Sequence, residues 1–234
     1  MKILCVDTAS PRLCIGVAAG GGREYEYSLD VGTRLSGALV PTIKRVVDAC
    51  GLKLDAFDYF AVCRGPGSFT GTRVGMAAMK AFSWSLDIPL AGIASLDILA
   101  GNAEGKAAFC VPVVDARRDL LYAAVYALRG GTRKRLSAYL LVNADDLAGA
   151  VRTRLPASAL PETAFLGDGL NVCAGRLREK FRQAQFLDKD YWKPGVRCML
   201  AEVREAVRRK AVGDADSVQP LYLYPKECQI RPKP

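Results

Sequence analysis

Apolar residues recur along the chain in two periods, and the switches between them mark out the elements. Residues 2–9 (Lys-Ile-Leu-Cys-Val-Asp-Thr-Ala) form a nearly unbroken apolar run that reads as a buried strand, with Leu13 to Ala18 as its hairpin partner. Glu24 to Leu29 alternates and gives a third strand. The period then changes: Leu35, Leu39, Ile43, Val46 and Cys50, with Val40 and Val47 beside them, recur at helical spacing from about residue 34 until Gly51 stops the helix. A strand at 58–63 leads through a glycine-rich turn into a helix over about 70–86. That second helix carries Gly71, Gly75, Ala77, Ala78 and Ala81 alongside Met76, Met79, Phe82 and Trp84, so nearly every face is apolar.

A helix apolar all round calls for burial on all sides. Either a partner subunit or another helix of the same chain has to cover it, and the broad stripe on the preceding helix belongs to the same question. Beyond it, Pro89 to Ala94 is a short strand, Ser95 and Asp97 can cap a following helix, and 101–106 looks like a crossing between two halves. The second half opens with a strand at Ala108–Asp115, a polar turn at 116–118 and an antiparallel partner at Asp119–Leu128, echoing residues 2–18. A helix from near Asn143, a strand at 164–166, the turn Gly167-Asp168-Gly169 and another helix follow. Arg197 to Val212 is a basic amphipathic helix with Arg204, Arg208, Arg209 and Lys210 set against Met199, Leu200, Val203 and Val207. The stretch from Pro220 to Pro225 is apolar enough to pack on the body.

The stretch with the most candidate chemistry is Arg64-Gly-Pro-Gly-Ser-Phe-Thr-Gly-Thr-Arg-Val-Gly75. A strand, a glycine-rich loop and a helix N-terminus together can cradle a phosphate. Glycine-rich turns also join strands to helices where no ligand binds. The spacing matches neither stock motif: Gly71 is followed by Thr72-Arg73 rather than Lys-Ser/Thr, and Thr70 stands where the dinucleotide fingerprint needs glycine. Asp7 and Thr8, at the end of the first strand, suit a nucleotide- or metal-facing turn and equally a capped hairpin.

Composition narrows the chemistry further. The chain has 234 residues, half of them hydrophobic, and no apolar run near the length of a membrane span. Its N-terminus turns acidic at Asp7, too early for a signal sequence, and a cytoplasmic protein is expected. Its 8 cysteines form no CxxC pair, and several sit in apolar strands, which reads as reduced, buried thiols. Histidine is absent (0 residues), which removes imidazole general bases, Ser-His and Cys-His pairs, and the ligands of most catalytic zinc sites. The net charge of +9 suits either an acidic partner such as RNA or a solvated basic surface.

Asp7-Thr8-Ala9, the block at 64–75, IPLAGIASLDILA at 88–100, Asp115-Ala-Arg-Arg118, Gly167-Asp168-Gly169 and Pro220-Leu-Tyr together resemble the TsaB (YeaZ) family of tRNA threonylcarbamoyladenosine biosynthesis proteins. The resemblance runs over essentially the whole chain, and the GPGSFTG-x-R-x-G block is its most specific part. It implies an α/β fold of the actin-like ATPase (ASKHA) superfamily, with two related halves, each a mixed sheet with flanking helices. The expected division is residues 1–103, joined by the helix at 197–212, a smaller half at 104–196, and a packed tail at 213–234.

The resemblance also implies a non-catalytic subunit that binds and activates the related protein TsaD. That complex, served by the ATPase TsaE, forms N6-threonylcarbamoyladenosine at position 37 of tRNAs reading codons that begin with A. In TsaD-like chains two metal-ligating histidines fall where this chain has Ser95 and Leu99, so no metal site is expected here. Where many relatives have His-Ser, this chain has Leu35-Ser36. The expected partner surface is Leu39, Ile43, Val46, Val47, Gly75, Met76, Met79 and Phe82, used for TsaD or for a second copy, with about 800 Å² buried per partner. Asp7, Thr8, Gly65, Gly67, Ser68, Thr70, Gly71 and Arg73 form the expected vestigial or weak nucleotide loop. The chain is expected to have no cofactor of its own, with ATP or ADP near the partner surface left open. The alternative is an ATPase or phosphotransferase active by itself, with Asp7 holding a hydrated Mg²⁺.

Overall fold

The apolar run at the N-terminus becomes the middle of a sheet because both of its faces are covered. In the computed structural model, which describes residues 1–224, β1 (Lys2–Asp7) pairs antiparallel with β2 (Leu13–Gly20) and parallel with β4 (Tyr59–Cys63). β3 (Arg23–Leu29) adds to β2, and β5 (Leu90–Ile93) adds parallel to β4, giving the order β3-β2-β1-β4-β5. The parallel neighbours need long crossovers. α1 (Leu35–Ala49) precedes β4, α2 (Phe69–Leu86) joins β4 to β5, and α3 (Ser95–Gly101) follows β5.

One face of this sheet receives α1 and α2. Leu39, Ile43, Val46 and Val47 of α1, with Met76 and Met79 of α2, pack on Leu4, Val6, Leu13, Ile15, Phe60 and Val62 in one buried cluster. At roughly 1.5–3 kcal/mol for each large side chain taken out of water, this cluster is a main source of the unit's stability.

The second set of strands repeats the plan. β6 (Phe109–Arg117) is central, with β7 (Leu120–Ala123) antiparallel to its C-terminal part and β8 (Tyr126–Arg129) antiparallel to its start. β9 (Thr132–Arg135) pairs with β8, and β10 (Leu140–Val142) pairs with β7. After α4 (Ala144–Arg152), β11 (Thr163–Leu166) lies parallel to β6, and after α5 (Leu170–Lys180) the short β12 (Gln185–Phe186) lies parallel to β11. The order β10-β7-β6-β11-β12 matches β3-β2-β1-β4-β5 strand for strand, antiparallel on one side of the first strand and parallel on the other. Its core joins Val111, Val113, Leu121 and Phe165 to Leu147, Val151, Leu170 and Leu177.

α6 (Val196–Arg208) then returns to the first sheet. Val196, Met199, Leu200 and Val203 pack against Ile3, Cys5, Ala18, Ala61 and Ile93, the face opposite α1 and α2. Two units result: residues 1–98 with 194–220, and residues 99–193 with the chain from Leu221.

Several expected boundaries shift, each for a local reason. The single strand expected over 119–128 is two, β7 and β8, because Val125 leaves the ladder: its N–H donates to Ser137 Oγ at 3.0 Å and its carbonyl accepts from Leu136. Apolar alternation continues through such a break, so the pattern does not reveal it. The helix expected to reach 212 stops at Arg208, with Lys210 in the left-handed region at φ 55°. Ser95 is inside α3 rather than capping it, and its hydroxyl donates to Pro66 O at 2.5 Å. The expected tail at 213–234 is divided, residues to Pro220 belonging to the first unit and the next ones to the second. There Tyr224 donates to Ala116 O at 2.8 Å, while residues 225–234 lie outside the described residues. Among the described residues no helix is long and apolar enough to cross a membrane.

Because α6 supplies a whole face of the first core, Leu200→Ala is expected to destabilise that unit by about 2–5 kcal/mol. Arg208→Ala, on the exposed side of the same helix, should change stability by no more than about 1 kcal/mol. Urea unfolding of the two variants checks the contrast.

Candidate functional site

The glycine-rich stretch lies against the end of β1, and it is the glycines that let it lie so close. A Cβ at Gly67 would sit 2.4 Å from Ala9 O, one at Gly71 2.0 Å from Thr8 O, and one at Gly75 2.1 Å from Thr8 Oγ1. No side chain fits any of these spaces without moving the strand end or the helix. Hydrogen bonds fasten the same contact: Ser68 N–H donates to Ala9 O at 2.7 Å, and Thr8 Oγ1 donates to Gly71 O at 2.8 Å. Ser68 also caps α2, its hydroxyl accepting from Gly71 N–H at 3.1 Å.

The structure therefore brings Asp7, Thr8, Gly67, Ser68 and Gly71 together, but turns their polar groups toward one another. The amides of Ser68 and Gly71, which a phosphate would use, are already engaged. Gly65 lies to the side, its carbonyl accepting from Ser95 N–H at 2.9 Å. Thr70 and Arg73 are on the exposed side of α2, where the Arg73 guanidinium stacks on the Phe69 ring at 3.8 Å.

Asp7 is fully buried. Its Oδ1 accepts from Ala9 N–H at 2.8 Å, while Oδ2 has no hydrogen-bond partner. Burial raises its pKa, with the Ala9 N–H the largest opposing influence, and the adjacent Cys63 thiol is pushed well up as well, chiefly by burial. The other half carries the same turn. Asp115, at the corresponding end of β6, accepts from Arg117 N–H at 2.7 Å through Oδ1, and its own N–H donates to Asp168 Oδ1 at 3.0 Å. Among the described residues no group of three or more His, Cys, Asp and Glu side chains is arranged to hold a metal. Of the two positions set against metal-ligating histidines, Ser95 is held by Pro66 and Leu99 is buried.

The side chains expected to meet a partner require a correction. Leu39, Ile43, Val46, Val47, Met76 and Met79 are buried in the chain's own first core, Gly75 is covered by Thr8, and Phe82 is half-buried with its ring 6.4 Å from Phe60. Helical periodicity identifies the face with the strongest apolar stripe, and that face is taken by the sheet. The helices instead expose Val40 (46%), Phe69 (47%) and Trp84 (63%), with Gly37, Pro41, Ala77 and Ala81 also exposed. The helical reading named Val40, Ala77, Ala81 and Trp84, but sequence reasoning singled out none of these exposed residues for binding. The signal available was the small, flat Ala77 and Ala81 beside one large exposed aromatic. Leu35 is half-buried against the core and Ser36 is exposed.

The expected basic surface on α6 is also modified by pairing. Arg204 meets Glu24 at 2.6 Å, and Arg208 and Arg209 both pair with Glu205. The tail residues Lys226 and Lys233 lie outside the described residues.

A family model described as TsaD, tRNA N6-adenosine threonylcarbamoyltransferase, matches residues 31–225. The chain belongs to this family. Among its relatives, the Bacillus subtilis tRNA threonylcarbamoyladenosine biosynthesis protein TsaB is 31% identical over 131 residues, covering 56% of this chain and 57% of the relative. The Escherichia coli protein of the same name is 27% identical over 128 residues, 54% of this chain and 55% of the relative. The matched region thus spans about half the length of the curated relatives. YeaZ from Pseudomonas aeruginosa has a TM-score of 0.79 at 24% identity, covering 95% of this chain and 100% of that one. A second Pseudomonas aeruginosa structure, described as similar to peptidase YEAZ, gives 0.83 at 24%, covering 95% and 99%. These relatives are named TsaB, and the solved YeaZ structures share the duplicated mixed α/β fold.

Two outcomes follow from the filled loop. Gly71→Ala, which must displace Thr8 O, should cost roughly 3 kcal/mol or more, whereas Gly37→Ala on α1, with nothing within 4 Å, should be neutral or stabilising by under about 1 kcal/mol, both read by urea unfolding. Asp7 has a raised folded pKa, so its contribution is full below the unfolded carboxylate pKa and is lost as pH rises through the folded value. Asp7→Asn, which keeps the acceptor for Ala9 N–H, should therefore be more stable than the parent at neutral pH, and the difference should shrink on acidification, as followed by thermal melts.

Proposed function

We propose that this chain is a non-catalytic subunit of the machinery that forms N6-threonylcarbamoyladenosine at position 37 of tRNAs reading A-starting codons, and that it binds and activates a TsaD-type catalytic partner. The observation that carries the non-catalytic reading is the loop: Thr8 and Ala9 of the chain itself occupy the concavity that a phosphate would enter. Membership of a family that includes the transferase, and relatives named for the same biosynthesis, support the pathway. A chain with 0 histidines, whose Ser95 and Leu99 are committed to packing and a backbone hydrogen bond, has no means of its own to ligate a metal at those positions.

The partner surface is the outward side of α1 and α2, centred on Trp84 and Val40, with Phe69 at one end. Large aromatic side chains beside small flat ones make good interface anchors, because they bury much area at low entropic cost. A second copy of the chain can use the same face when the catalytic partner is absent. In this reading the chain needs no cofactor of its own, TsaE and tRNA engage the assembled complex, and the protein works in the cytoplasm.

Depleting the protein and quantifying the modified nucleoside in bulk tRNA tests the pathway, which an unchanged level would refute. Trp84→Glu should abolish co-purification with the TsaD-type partner while leaving the thermal midpoint nearly unchanged, since the side chain is 63% exposed. Retained co-purification would refute the choice of face.

A further inference from the structure

Arg64 opens the glycine-rich stretch, yet its side chain plays no part in the loop. Its Cδ lies over Gly92 of β5: a Cβ on that glycine would come within 3.2 Å of Arg64 Cδ and 2.9 Å of Val218 Cγ1. The chain after α6 runs past the same place, Leu90 and Gly213 exchanging backbone hydrogen bonds of 2.9 and 3.4 Å along the free edge of β5. Between that segment and the strand is a cavity of about 330 Å³, lined by Arg64, Leu90, Gly92, Val212, Ser217 and Val218 among others. That volume falls within the range of small-molecule sites, roughly 300–1,000 Å³.

The chemistry of the lining is one-sided. Arg64 Nε is buried without a hydrogen-bond partner, and among the described residues no carboxylate side chain lines the cavity. The nearby Asp214 is used within its own turn, accepting from Ser217 N–H at 2.9 Å, and the Ser217 hydroxyl donates to Asp214 O at 2.7 Å. A buried guanidinium N–H left unmet is costly, and a planar carboxylate is the group that meets its fork. Leu90, Val212 and Val218 supply apolar walls beside it.

We propose that this cavity binds a small organic carboxylate, its head on the Arg64 guanidinium and a short branched apolar body against Leu90, Val212 and Val218. The site is separate from the outward side of α1 and α2 and does not depend on the function proposed above. A single cation among apolar walls favours a monoanion with a hydrocarbon body over a bare phosphate, which would want several donors.

The test is a titration of the full chain, labelled with ¹⁵N, against isovalerate, isovaleramide and inorganic phosphate. Isovalerate should give saturable shifts at the amides of Leu90, Gly92, Gly213 and Ser217, and the neutral amide and phosphate should each bind at least about ten-fold more weakly. Arg64→Gln should lose binding by a similar factor. Val212→Glu, which supplies a carboxylate from the half-buried rim, should block it while keeping the arginine. Absence of saturable shifts, shifts that survive in a folded Arg64→Gln or Val212→Glu protein, or equal binding of isovaleramide or phosphate would overturn the assignment.

Discussion

Two carbonyl oxygens at the end of the first strand, those of Thr8 and Ala9, occupy the space that side chains at Gly71 and Gly67 would need. The arrangement of the first unit depends on that contact. It sets the start of α2 directly on β1, with Ser68 both capping the helix and bonding back to Ala9. Once the helix is anchored there, its rotation is fixed. Met76 and Met79 must enter the core over Val6 and Phe60, and Trp84 and Ala81 must face away. A loop of the kind that holds phosphates elsewhere acts here as a joint between strand and helix.

The same economy is visible in the duplicated plan. In each half a carboxylate closes the first strand and accepts the N–H two residues on, Asp7 with Ala9 and Asp115 with Arg117. The surroundings then separate the two. Asp7 is sealed under the loop and favours its neutral form, whereas Asp115 sits beside Arg117 and the half-buried Asp168. One local motif in two electrostatic settings is consistent with halves that share a fold and differ in use.

Much of this was readable from sequence, for physical reasons that also mark where reading stops. β1 and β4 were legible because strands covered on both faces are continuously apolar, and α1 and α2 because their stripes hold a helical period over four turns or more. The cluster of glycines marked the turn from strand to helix, but not whether the group lying against it was a ligand or the chain's own Ala9. Periodicity found the apolar faces of α1 and α2, and the family resemblance set Met79 on a partner surface, although the strongest stripe on a helix is usually claimed by its own sheet. The break at Val125 and the placement of Arg64 over Gly92 depend on partners far away in sequence, Ser137 and Val218, which no local pattern reports.

The position of α6 has a consequence for how the molecule comes into being. The first sheet is complete in strands by Ile93, but the helix that seals its second face begins only at Val196, after residues 99–193 of the second unit have been made. During synthesis, at about 5–20 residues per second, Ile3, Cys5, Ala61 and Ile93 would wait uncovered for several seconds. The second unit's core needs nothing from α6 and can close in that interval. The half that begins first is therefore the half whose core closes last, and a nascent chain stalled before residue 194 would hold a closed second core and a first sheet with one face still open to chaperones.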